Sequence, residues 1–247
     1  TKNLCNRQDS ADYVITGHWG RLAAKYAKTF VNVHEINCDF EMIKNLDCPI
    51  NQNSKFIHVT NNETVDGVEL HDLSKINKLS NNSIPIVSDM SSNLFSEPVK
   101  ISDYGMIYAC AQKNIGPSGL TLVIVRNDLL DRARDPIERT RHYKSVISKD
   151  SILNTPNTFA VYMASRVFDW IKLKGGVEYF AQENARKSKL LYDYIDSSDL
   201  YVNNVPGFCR SRMNIPFSIN GDSDNKLTSK FIKNADQAGL TNLKGHA

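Results

Sequence analysis

The chain has no apolar run near the roughly 20 residues that a membrane-spanning helix needs. Its opening residues also lack the basic, apolar and small-residue succession of a secretory signal. Net charge is scarce: 30 Lys and Arg against 27 Asp and Glu leave +3, too little and too dispersed to draw in nucleic acid or an acidic membrane. Cysteines are few and odd in number. Cys5, Cys38, Cys48, Cys110 and Cys209 show no CxxC or zinc-ligand spacing, so neither a disulfide framework nor a metal site is expected. A reducing, cytoplasmic setting follows as an expectation. The first residue is Thr1 rather than Met, which carries the further expectation of chain lost upstream.

What is present is ordinary globular material: 41% hydrophobic and 23% charged residues over 247 positions suffice for one large domain or two modest ones. Apolar, β-rich runs alternate with helical periodicity, the pattern of an α/β fold with a mainly parallel sheet and flanking helices. Strands are predicted at residues 13–15, 31–36, 56–59, 85–88, 105–109 and 120–125, with a helix over 19–30 and a loop or poor helix over 73–83. Beyond Val125 the pattern changes. A helix over Thr158–Leu173 carries Phe159, Tyr162, Met163, Val167, Trp170 and Ile171 on one stripe, and Gly175 and Gly176 end it. A helix over 177–196, a strand over 211–217 and a helix over 227–238 follow. The division expected is a large α/β domain over 1–150, then residues 151–247 holding a remaining large-domain helix and a smaller α+β domain.

Two places carry chemistry. Lys113 lies in a Gly- and Pro-containing turn between a hydrophobic strand and a second strand expected to be buried. Alone it is a solvated loop lysine; in a site it is a partly desolvated amine able to form a Schiff base with an aldehyde cofactor. Asp89 ends the predicted strand before it, where open α/β sheets place ligands, but in isolation it reads better as the cap of a following helix. A pyridoxal cofactor needs such a carboxylate to keep its ring nitrogen protonated.

The segment AQKNIGPSGLTLVIVRNDLL around Lys113 resembles the cofactor-lysine region of phosphoserine aminotransferases, which belong to the class-V, fold type I aminotransferases. ADYVITGHWG, HVTNNETVDGVEL, SDMSSNLFSEPV, LNTPNTFAVYMASRVFDWIKLKGGVE, RSRMNIPF and AGLTNLKGH resemble other blocks of that family, in the family's order. The resemblance implies pyridoxal 5'-phosphate as cofactor, with Lys113 carrying it and moving the substrate proton. It further implies Asp89 on the ring nitrogen, Trp19 stacked on the ring, Thr64 in contact with the cofactor and Gln112 on the phosphate side. Asn154 and Thr155 match a pair that reaches the neighbouring subunit's cofactor phosphate, which implies a homodimer with composite sites. His246 matches the start of a substrate-phosphate motif. The implied reaction joins O-phosphoserine and 2-oxoglutarate to 3-phosphohydroxypyruvate and glutamate in serine biosynthesis, with a related role in pyridoxine biosynthesis. Small molecules are the implied partners, without nucleic acid or membrane.

By themselves, Trp19 is more often a core residue and Thr64, Asn154 and Thr155 turn residues. A cysteine desulfurase would carry a His before the lysine, where Gln112 stands, and a non-catalytic remnant is the alternative from outside the enzymes. The family's upstream phosphate loop and downstream substrate arginines have no counterpart here. The expectation is therefore weak cofactor binding and poor turnover, with Arg141 or Arg210 as substitute anion ligands should turnover prove normal.

Overall fold

The computed structural model describes residues 1–45, 47–80, 83–132 and 137–244. In chain order the elements are β1 (Ser10–Ile15), α1 (His18–Ala27), β2 (Asn32–Asn37), α2 (Phe40–Asn45), β3 (Ile57–Thr60), β4 (Asn62–Glu63), β5 (Val68–Glu69), α3 (Ser74–Leu79), β6 (Ile86–Asp89), β7 (Met106–Cys110) and β8 (Thr121–Val125). After them come α4 (Tyr143–Ile147), α5 (Thr158–Leu173), α6 (Gly176–Asp196), β9 (Tyr201–Val202), β10 (Ser218–Ile219) and α7 (Lys226–Gln237).

Continuous apolar runs such as Tyr13-Val14-Ile15 and Ile86-Val87 suit strands covered on both faces, and those strands form the middle of a six-stranded sheet. Its order is β2-β1-β3-β6-β7-β8, parallel except for β8, which runs antiparallel to β7. One face packs Tyr13, Phe56, Val87 and Met106 against Ala24 and Ala27 of α1. On the other, Val14, Ile57, Val59 and Ile86 meet Ile76 of α3. The mainly parallel sheet with flanking helices is the architecture the sequence pattern predicts.

Two local expectations need correction. The strand over residues 120–125 is not buried: β8 is the sheet edge, paired on one side only, and its residues are exposed to half-buried. Residues 211–217 form no strand, because their amides have other acceptors. Ser211 N donates to Gly67 O (2.9 Å), Arg212 N to the Glu69 carboxylate (2.9 Å), and the amides of Met213 and Asn214 to Ser211 Oγ (3.1 and 2.9 Å). Pro216 has no amide to give. The segment at 73–83, left open between loop and poor helix, contains the six-residue helix α3.

The apolar stripe of α5 also has an unexpected destination. Ala160, Ala164 and Ile171 face inward, and the small side chain of Ala164 lets the helix approach the Lys113 turn at Gly116. Phe159, Tyr162 and Trp170 point outward, at 67%, 60% and 50% exposure. Gly175 and Gly176, at φ +107° and +81°, make the break between α5 and α6 that side-chain-bearing residues would strain.

Candidate active site

Because β1, β3, β6 and β7 are parallel, their carboxyl ends share one edge of the sheet, the edge where open α/β sheets hold ligands. Trp19 follows β1, Thr64 follows β3 in the turn between β4 and β5, Asp89 ends β6, and Lys113 stands in the turn after β7.

The start of α1 is built by close approach. A Cβ on Gly17 would come within 2.8 Å of the Glu63 carboxyl carbon and 2.4 Å of Asp66 Oδ2, so only glycine leaves room for both acids. Glu63 then accepts from the amides of Trp19 (2.8 Å) and Gly20 (2.7 Å), and Asp66 accepts from His18 N (2.7 Å). Side chains thus take amides that a helix N-terminus would otherwise offer to an anion. The indole Nε1 of Trp19 donates to Thr64 Oγ1 at 2.7 Å, which sets the angle of the ring.

Burial pushes the Glu63 carboxyl up to about 7, against the pull of the Gly20 and Trp19 amides. Above its ordinary value of 4.5 the folded chain therefore retains a proton that the unfolded chain releases. That contribution to stability is complete below 4.5 and is lost as pH rises through about 7. Relative to Glu63→Gln, the parent chain should lose on the order of 3 kcal/mol across this window. Urea denaturation at several pH values checks this, and a flat difference between the two proteins would exclude it.

Asp89 and Tyr108 are register partners on adjacent parallel strands. The Asp89 carboxylate accepts from Ser91 N (2.9 Å), and Ser91 Oγ accepts from Cys110 N (3.1 Å), so the ends of β6 and β7 are tied together beside the acid. Asp89 thus caps a turn rather than a helix. Lys113 opens into a cleft of about 660 Å³ that Thr64, Asn214, Phe217, Phe231 and Lys244 also line. Asn114 anchors the turn through Leu94 O (3.0 Å). Lys113 remains exposed along its length, yet partial burial lowers its pKa below the usual lysine range while Asp89 and then Cys110 oppose the shift. An amine placed this way gives up its proton more readily and becomes a better nucleophile.

Of the residues singled out from the sequence, Lys113 and Thr64 share the cleft, Trp19 is bonded to Thr64, and Asp89 acts electrostatically on Lys113. Gln112 is exposed beside Lys113. Asn154 and Thr155 are exposed in the segment before α5 and are not among the residues lining this cleft. His246 lies outside the described residues, although Lys244 just before it reaches the cleft wall.

Arg210 is not an available anion ligand. It makes a two-pronged bond to Asp196 (2.6 and 2.8 Å), donates to Val205 O (2.8 Å) and lies over the Tyr192 ring at 4.5 Å. Sequence reasoning missed Glu63, His58 and Tyr108. For His58 and Tyr108 the signal was a polar side chain inside a strand run that otherwise reads as core, whereas Glu63 stands in a polar stretch that gave none.

A profile of the family Aminotransferase class-V matches residues 1–246. The phosphoserine aminotransferase of Hahella chejuensis is 43% identical over 249 residues, covering 99% of this chain and 67% of the relative. The structure of phosphoserine aminotransferase from Bacillus circulans subsp. alkalophilus superposes with a TM-score of 0.86 at 35% identity, over 96% of this chain and 65% of that one. That of the pyridoxal-phosphate-bound enzyme from Trichomonas vaginalis gives 0.86 at 31%, over 99% and 70%. The chain spans about two thirds of the length of these relatives.

Proposed function

The chain belongs to the class-V aminotransferases, on their phosphoserine aminotransferase branch, and from that premise we propose that it transfers an amino group between O-phosphoserine and 2-oxoglutarate. The products are 3-phosphohydroxypyruvate and glutamate, the step serves serine biosynthesis, and the cofactor is pyridoxal 5'-phosphate. The observation that carries this reading is the partly desolvated amine of Lys113 in a cleft with Thr64, under the field of the Asp89 carboxylate.

The donor set suits the cofactor: an amine, a carboxylate, and an indole whose angle a threonine fixes. Pyridoxal phosphate, when bound, supplies an aldehyde that joins an amine and a ring that takes up an electron pair. Lys113 would hold the cofactor through its amine and, once freed, would serve as the base that moves the proton at the substrate α-carbon. Asp89 would pair with the ring nitrogen, Trp19 would cover a face of the ring, and Thr64, which orients that indole, would border the cofactor. Gln112 serves the phosphate side. Borohydride reduction with pyridoxal phosphate, followed by peptide mapping, should put the phosphopyridoxyl mass on Lys113. Finding it on Lys244 instead, or nowhere, refutes the assignment.

The active unit is a homodimer in which Asn154 and Thr155 reach the neighbouring copy's cofactor phosphate. Support comes from the outward stripe of Phe159, Tyr162, Trp170 and Leu173 on α5, which begins directly after that pair. Trp170→Asp should turn a dimer into a monomer in sedimentation velocity, and a parent chain that is already monomeric at micromolar concentration removes the reading. Among the described residues no helix is long and apolar enough to cross a membrane. The five cysteines are free, even with Cys38 and Cys48 sulfurs 3.6 Å apart, which supports a reducing, cytoplasmic location.

A further inference from the structure

Behind Asp89, on the side of the sheet that carries α1, runs a chain of polar side chains buried among apolar ones. The parallel register sets Thr60, Asp89 and Tyr108 in one row across β3, β6 and β7, and Tyr13 beside His58 in the row before it. His58 is 4% exposed and its ring stacks on Tyr13 at 4.7 Å and 21°. Its Nε2 lies 2.9 Å from the Tyr108 hydroxyl, while its Nδ1 is buried without a partner.

These contacts fix the direction of the bonds. An orphaned N–H is a rarer and costlier feature of a protein interior than an orphaned lone pair, so the proton belongs on Nε2 and the bare lone pair on Nδ1. Burial holds the ring neutral, with its pKa pushed down to about 4 and Asp89 pulling the other way. His58 Nε2–H therefore donates to the phenol oxygen. The single phenol proton is left to point away from His58, on the face of the sheet where Asp89 is the register neighbour of Tyr108. Burial raises the Tyr108 pKa, with the Asp89 charge and hydrogen bond adding to it, so the phenol keeps that proton.

We propose that Tyr108, held by His58, is the positioning residue that aims the Asp89 carboxylate at the cofactor's ring nitrogen. A hydrogen bond donated to a carboxylate favours its charged form. The phenol thus keeps the negative charge on the acid and the proton on the ring nitrogen, rather than letting the pair relax to a neutral acid beside an unprotonated ring. Ser91 N holds the carboxylate from the chain side, and Tyr108 stands beside it as its register neighbour on β7. The inference rests on the reading of the site given above.

The test uses the full chain reconstituted with pyridoxal phosphate labelled with 15N in the ring. The parent should give a pyridinium-like 15N shift. Tyr108→Phe, which keeps the ring and removes only the hydroxyl, should move that shift toward unprotonated pyridine and lower kcat about 10-fold with KM little changed. His58→Leu should act in the same direction with a smaller change, and it supplies the answer if the phenylalanine variant does not fold. Parent-like 15N shifts in the variants, with a change only in melting temperature, overturn the proposal. A parent chain that takes up no cofactor overturns the reading of the site itself, and this inference with it.

Discussion

Replacing Lys113 with alanine is expected to abolish covalent uptake of pyridoxal phosphate and to lower transamination of phosphoserine by roughly 1,000-fold or more. In the proposed reaction the amine has two tasks, holding the cofactor and carrying the substrate proton, and truncation removes both. Lys244 is the other lysine on the cleft wall, so it is the control: Lys244→Ala should retain the adduct on Lys113. Lys113→Arg separates charge from chemistry, because a guanidinium keeps the positive field but stays protonated and cannot attack an aldehyde. The measurement is the visible absorption band of the lysine-bound cofactor together with phosphoserine-dependent formation of glutamate. A band of parental intensity in Lys113→Ala would end the assignment.

Asp89→Asn is the second large effect. The substitution is nearly isosteric, and the amide oxygen can still accept from Ser91 N, so the turn after β6 should persist and melting should change little. What disappears is the negative charge proposed to face the ring nitrogen, and the loss of one preorganised electrostatic contact of this kind costs roughly 100- to 1,000-fold in turnover. A second consequence has a definite sign. Asp89 raises the Lys113 pKa against the lowering by burial, so removing its charge should move the titration of Lys113 to still lower pH. Reductive labelling of the cofactor-free chain across a pH series reads this directly. Near-parental turnover, or a Lys113 midpoint displaced upward, contradicts the role assigned to Asp89.

The sequence alone determined the alternation of strands and helices, because strands covered on both faces are mainly apolar, and runs such as 56–59 and 85–88 are apolar but for His58 and Ser88. It determined that Lys113 and Asp89 both follow strands, so that parallel neighbours would bring them to one edge. It also determined the chain's family, since ordered motif blocks such as AQKNIGPSGL carry that in their spelling.

Only the tertiary structure decided which polar groups inside the runs are working parts. His58 and Tyr108 lie 50 residues apart and become partners through strand register, which periodicity does not encode. Glu63 looks like one acid in a polar loop until Gly17 admits it beneath α1, where two amides and burial remake its chemistry. The stripe on α5 carries the same lesson: its period announces an apolar face. Which way the helix turns follows the buried small residues, with Ala164 packed close against Gly116 of the Lys113 turn. Local pattern records what a segment can form, whereas burial, register and close approach depend on partners far away in the chain.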